Sequence, residues 1–343
     1  MTSSPQLSDR IEPSSDLQDI PKVDLHLHAE TLARLDRLRA RRTKTSAYDW
    51  DGWTAVLASM PPGLPRMGRM DGELAASELE PMDDEDETFV WRVADALVDA
   101  AAEGAVMAEV RFGAATVLRP RFMALFREAE SRTRARYPDF YAEAIISGIW
   151  PARTNAARVL DACIRAREEG LGGIDFLSEP YDAGADWTEA YRWADRAAAA
   201  GLGITAHAGE FSDAHVVPAL GLPGLTRIGH ATHAARSDQL IERLAAVGVT
   251  VECCITSNVI LGSVAALEDH PIRRLADRGV RVTVNTDDPL RLPTTIGREY
   301  ALAEQLGFSR AELLALSRNA IEASFTSADR RQRLLAGLEA AEA

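Results

Sequence analysis

WTEAYRWADRAAAAGLGITAHAGE, residues 187–210, holds in one stretch the unit from which the chain is built. Trp187–Ala200 repeats its apolar side chains at helical spacing and stops at a glycine, the pattern of a surface helix with a C-terminal cap. Ile204–Glu210 then runs as a short strand that ends on His207, with Glu210 in the turn beyond it. Outward from this unit the same alternation recurs. Strands are expected at Val23–His28, Val106–Phe112, Tyr141–Ile149, Gly173–Glu179, Arg227–Thr232, Thr250–Ile255 and Arg281–Asp287, and with Ile204–Glu210 they make eight. Helical stretches such as Asp238–Val247 fall between them. Strand and helix in alternation imply a parallel sheet, and eight repeats imply its closure into a (β/α)8 TIM barrel of the α/β class.

A chain of 343 residues suits one such barrel. Residues 1–19, rich in Ser, Pro, Asp and Gln, are expected to be a flexible leader, with residues 20–343 forming a single barrel domain. The connection from 29 to 105 carries MPPGLPRMGRM at 60–70 and PMDDEDE at 81–87, and reads as irregular. In a barrel it would lie over the C-terminal mouth of the strands, as a lid or as a solvated loop.

The formal net charge of −14, from 52 acidic and 38 basic residues, argues against nucleic acid as partner, since phosphate binding needs clustered cations. A small-molecule substrate is expected, with no membrane partner and with a homo-oligomer left open. The three cysteines, two of them adjacent at Cys253 and Cys254, form neither a disulfide framework nor a structural zinc spacing, so a cytoplasmic location is expected. The N-terminus lacks the apolar stretch of a secretion signal. Lys22 and Lys44 are the two lysines, and neither falls in an expected strand, which disfavours a two-metal site bridged by a modified lysine.

Four of the expected strands end on chemistry. His26 and His28 in DLHLH alternate on one strand and so face the same side. TAHAGE places His207 and Glu210, RIGHAT places His230, and VNTDDP places Asp287 and Asp288 at the mouth where barrel enzymes work. Three imidazoles and a carboxylate, His26, His28, His207 and Asp287, suit one Zn2+ per chain with a position left for water, which zinc would acidify towards neutrality. Glu210 could then protonate a ring nitrogen beside an attacked carbon, His230 could take a proton from the water, and Asp288 could share one with a second ring nitrogen. His215, His233 and His270 lack strand-end placement and read as structural.

KVDLHLH, AEVRF, GIDFLSE, TAHAGE, RIGHAT, ECCITSN, HPIRRLADRGVRVTVNTDDP and the later Glu299–Tyr300 occur in the order found in the adenosine deaminase family of the amidohydrolase superfamily, which the chain resembles from Val23 to about Tyr300. The resemblance implies a zinc-dependent hydrolytic deaminase of a 6-aminopurine. It implies the four zinc ligands above, Glu210 as proton donor to purine nitrogen 1, His230 as base and Asp288 as partner of nitrogen 7. The departures fall where the family binds the rest of its substrate: Ala29–Glu30–Thr31–Leu32 after the paired histidines, Ser178 where a glycine is usual, and Ala231 and Ile255. Glu30 and Ser178 are thus the candidate substrate-binding residues beside Asp288, and the open substrates are adenosine, free adenine, a modified adenosine or aminodeoxyfutalosine. A mononuclear amidohydrolase acting on another aminated ring is the rival reading.

Overall fold

The computed structural model describes residues 15–28, 48–76 and 85–342. Eight parallel strands stand in the order β1 to β8: Lys22–His28, Ala105–Gly113, Tyr141–Ile149, Gly173–Leu177, Gly203–Ala208, Leu225–His230, Thr250–Cys253 and Arg281–Val284. Each is a buried run rich in branched or small apolar residues, as a strand covered on both faces must be. The expected strands are all present, but β4 to β8 stop short of the expected C-terminal ends. Glu210, Asp287 and Asp288 lie beyond those ends, Asp287 as an isolated bridge residue.

The ring closes between β1 and β8 through one parallel bridge, Leu27 with Asp287. The Asp287 N–H donates to the His26 carbonyl and the His28 N–H to the Asp287 carbonyl, both at 2.7 Å. Lower on the same seam side chains replace the ladder: Asn285 Oδ1 accepts from the Leu25 N–H at 2.9 Å, and Thr286 Oγ1 donates to Asp24. At the opposite end Phe325 plugs the barrel floor, so close that a Cβ on Gly203 would stand 2.2 Å from its ring.

Lys22 proves to be the first residue of β1, a correction to its expected place outside the strands. Its Nζ donates to the Leu17 carbonyl at 2.7 Å at the floor of the barrel, the end remote from His28, too far from the mouth to bridge metal ions there; Lys44 lies outside the described residues. Ser15–Gln18 form a helical turn, and Leu17 is buried.

The described part of the first connection is more regular than expected. Trp50–Ala58, Leu64–Ala76 and Asp86–Ala102 are helices. The Pro-rich stretch tolerates a helix because Pro65 occupies its first turn, where its missing N–H costs nothing. Asp86 and Glu87 open the third helix, where acids favour the helix dipole, and Asp86 pairs with Arg119 at 2.9 Å. Trp53, Leu57 and Met70 form a small core of their own with Leu261 and Leu292, which fastens these helices over the mouth. No helix among the described residues is long and apolar enough to cross a membrane.

Candidate active site

The mouth of the barrel gathers four ligating atoms. His26 Nε2 lies 3.0 Å from His207 Nε2, 3.3 Å from His28 Nε2 and 3.2 Å from Asp287 Oδ1, and His28 Nε2 lies 3.5 Å from the same oxygen. Donors on a tetrahedral zinc ion at about 2.0–2.2 Å stand about 3.3–3.6 Å apart, so the spacing is that of a coordination shell. The ring nitrogens on the far sides are committed. His26 Nδ1 donates to Glu252 Oε2 at 2.9 Å, and His207 Nδ1 lies 2.8 Å from Asp175 Oδ2. With Nδ1 of each ring engaged by a carboxylate, both rings turn Nε2 towards the same point. Electron-rich atoms this close repel unless a cation lies among them, and Arg111 Nη1, 3.1 Å from His26 Nε2, counters one edge only. The residues fit a divalent ion of borderline softness.

His230 also comes near: the ligating atoms of His26, His207, His230 and Asp287 all lie within 4.8 Å of one another. His28 is the better fourth donor. Its Nε2 has two of the others within 3.5 Å, whereas His230 Nε2 faces Glu210 Oε2 at 3.7 Å and its Nδ1 is engaged by Asn258 Nδ2 at 3.1 Å. His230 and Asp287 both hold left-handed backbone, φ 66° and 63°, which non-glycine residues adopt at some cost and which recurs at functional sites. Two glycines make room: a Cβ on Gly229 would meet His26 Cε1 at 2.9 Å, and one on Gly209 would meet the Ala231 backbone at 2.8 Å.

Beneath the ligands lies a column of buried charge. Arg111 bridges Asp175 at 3.0 Å and Glu252 at 2.5 Å, while Arg227 bridges Glu252 at 2.7 Å and Glu109 at 2.6 Å. All five side chains are fully buried. Burial alone would raise Asp175, but His207 and Arg111 hold it well below the usual carboxylate range, and Arg111 and Arg227 do the same for Glu252. Burial takes His207 down to about 4, so it stays neutral and able to ligate. On Asp287, Ser257 Oγ donates to Oδ2 at 2.6 Å, leaving Oδ1 for the cluster.

Glu210 stands at the edge of this group. Burial, reinforced by the charge of Asp287, pushes its carboxyl up to about 8, and Tyr181 donates to its Oε2 at 2.7 Å. A cavity of about 290 Å3 opens beside it, lined by His28, Tyr181, Glu210, Asp287, Asp288 and Arg291 among others. Asp288 Oδ2 pairs there with Arg291 Nη1 at 3.0 Å. A larger cleft of about 690 Å3 lies outside the ring of ligands, among Arg236, Arg273 and Arg278, and holds none of the converging atoms.

Of the residues singled out from sequence, His26, His28, His207, Glu210, His230, Asp287 and Asp288 are thus brought together. Ser178 is fully buried, and its neighbour Leu177, not Ser178, lines the cavity. Glu30 lies outside the described residues. Met67 and Met70, from the helix Leu64–Ala76, also line the cavity. Sequence reasoning missed Tyr181, Ser257, Asn258 and the charged column. The signal for the last was present in AEVRF and GIDFLSE, since charges inside apolar strands must be paired.

The family described as adenosine deaminase matches residues 88–341. An adenine deaminase of Rhizobium leguminosarum bv. trifolii is 46% identical over 156 residues, 45% of this chain and 48% of that protein. The chain spans about half the length of the curated relatives it matches. The crystal structure of an adenine deaminase from Arthrobacter aurescens superimposes with a TM-score of 0.74 at 26% identity, covering 94% of this chain and 99% of that one. An amidohydrolase from Burkholderia ambifaria with bound zinc gives a TM-score of 0.74 at 21% identity, over 98% and 95% of the two chains, a likeness of fold. With a family match that runs through most of the barrel, the chain belongs to the adenosine deaminase family.

Proposed function

We propose that this protein is a zinc-dependent hydrolytic deaminase of a 6-aminopurine, converting it with water to the 6-oxopurine and ammonia, and that free adenine is the first substrate to test. The observation that carries the reading is the convergence of three imidazole nitrogens and one carboxylate oxygen within 3.0–3.5 Å contacts beside a carboxyl whose pKa is raised to about 8. Adenine is put forward because the curated relatives at 42–46% identity are named adenine deaminases.

His26, His28, His207 and Asp287 would hold the zinc ion. When bound, it supplies Lewis acidity that makes water a nucleophile at neutral pH. The chain's own residues do the rest. Glu210 enters protonated; Tyr181 donates to Oε2, which leaves Oε1 to carry the transferable proton. As the water oxygen bonds to purine carbon 6, that proton passes to nitrogen 1, so ring charge never builds up. The water gives up one proton to the amino group, which leaves as ammonia, and the hydroxyl proton left on carbon 6 returns to Glu210 as the carbonyl forms, so the acid is restored. Asp288, held by Arg291, faces the cavity as the partner of nitrogen 7.

The test is the chromatographic appearance of the oxo product from adenine, adenosine, AMP, N6-methyladenine, aminodeoxyfutalosine, guanine and cytosine with the zinc-loaded protein, the amine released being ammonia in every case but N6-methyladenine, which releases methylamine. Turnover of a 6-aminopurine is expected. Turnover confined to guanine or cytosine, or none at all with zinc bound, would overturn the reading.

A further inference from the structure

Behind His230, on the side away from the ligand cluster, runs a chain of three buried hydrogen bonds. His230 Nδ1 lies 3.1 Å from Asn258 Nδ2, Asn258 Oδ1 lies 3.1 Å from His270 Nε2, and His270 Nδ1 lies 3.3 Å from the backbone N–H of Ile272. Asn258 is fully buried and His270 nearly so. The last of these bonds is the one whose direction is beyond choice, because a backbone N–H can only donate. His270 Nδ1 must therefore accept, and a neutral His270 carries its hydrogen on Nε2. That hydrogen is donated to Asn258 Oδ1, which fixes the amide the right way round. Asn258 Nδ2 then donates to His230 Nδ1.

We infer that Asn258 and His270 are positioning residues that lock neutral His230 as the Nε2–H tautomer, so that it meets the reacting centre as a hydrogen-bond donor and not as a base. The reversed amide would put Asn258 Nδ2 against His270 Nε2–H, two donors face to face in a buried space. Burial also lowers His270 to about 3, so the relay does not dissolve through its protonation at neutral pH. The consequence alters the role expected for His230. Its Nε2–H points towards Glu210 Oε2, 3.7 Å away, and to the cavity between them. There it can hold the nucleophilic oxygen by donating to it, which aims one of that oxygen's lone pairs at the ring carbon, but it has no free lone pair with which to take the proton.

Two experiments test this. The first is a long-range 1H–15N correlation spectrum of the zinc-loaded protein labelled with 15N-histidine, the His230 signals being assigned by their loss in His230→Gln. The pattern of one protonated Nε2 and one bare Nδ1 is expected; a protonated Nδ1 would overturn the inference without any change to the relay residues. The second is Asn258→Asp, nearly equal in size. A carboxylate accepts from both histidines, so it should flip His230 to the Nδ1–H tautomer and lower kcat by at least about tenfold with KM within about threefold, as wrong-tautomer variants do elsewhere. Wild-type kcat in Asn258→Asp together with a flipped His230 would also overturn it. The activity arm rests on the deaminase reading, whereas the spectrum does not: an Nε2–H His230 in a protein that deaminates nothing would refute the function and leave the relay intact.

Discussion

Replacing Glu210 by glutamine removes one transferable proton and little else. The side chain is buried, its volume is retained, and the amide oxygen can still accept from the Tyr181 hydroxyl that now donates to Oε2 at 2.7 Å. A positioned general acid contributes about 10²–10⁴ in rate. At about 1.36 kcal/mol per decade this is a loss of about 2.7–5.4 kcal/mol of transition-state stabilisation. The upper half of that range is expected, because attack on an aromatic ring whose nitrogen stays unprotonated leaves charge in a buried site. The pH profile separates this from misfolding. Burial and Asp287 raise the carboxyl to about 8 and the acid form is the active one, so wild-type kcat/KM should be level below that pH and fall above it. The variant has no proton to lose and should lack this alkaline limb. Steady-state ammonia release from adenine between pH 6 and 10 reads both quantities, with metal content and melting temperature as controls. A glutamine variant within tenfold of wild type, or one that keeps the limb, would refute the role of Glu210.

Asp175→Asn takes away the acceptor that orients His207 and should weaken zinc affinity about 10–100-fold, read by competition with a chromophoric chelator; unchanged affinity would mean that His207 does not hold the ion. Arg111→Met takes the arginine from Asp175 and leaves Glu252 with Arg227 as its remaining cation, and should cost about 3–5 kcal/mol, visible as a lower midpoint in denaturant. An unshifted midpoint would show that the column relaxes on its own. Gly229→Ala forces a Cβ to within 2.9 Å of His26 Cε1 and should lower zinc stoichiometry while the circular dichroism of the barrel persists. Glu299, lifted to about 7 by burial against the donors Thr256 N–H and Thr294 Oγ1, holds a proton in the folded chain that the unfolded chain has lost by about pH 5. Its share of stability is present below the usual carboxylate pKa and is lost as pH rises through 7, so Glu299→Gln should flatten the decline in unfolding free energy between pH 5 and 8.

The barrel was readable because its strands are buried on both faces: runs such as Tyr141–Ile149 are mostly apolar and stand between helices of regular period. The chemistry at the mouth was readable because histidines and acids at strand ends have no packing reason to recur. The strand ends themselves were placed too far along: the strand before Glu210 stops at Ala208 ahead of the left-handed Gly209, the next ends on the left-handed His230, and the last stops at Val284, after which Asn285 and Thr286 bond across to the first strand by their side chains. The helix at Leu64–Ala76 was hidden by prolines and glycines that read as loop. Tyr181 and His270 could not be found because what gives them meaning is a partner far off in sequence, Glu210 in one case and Asn258 in the other. Distance in space has no period to betray it.

The seam between the first and last strands carries a consequence for how the protein comes into being. At the mouth the ring is joined by the Leu27–Asp287 bridge, flanked by the backbone bonds of His26 and His28, and below it Leu25 meets Asn285 across 260 residues of intervening chain. Contacts of such long range must await the loops that separate them. The residue that would complete the proposed ligand set is the residue that shuts the ring, so no partly wound chain could own a finished centre. Catalysis in this molecule would be an audit of folding: a chain that turns over substrate has been wound to its last strand.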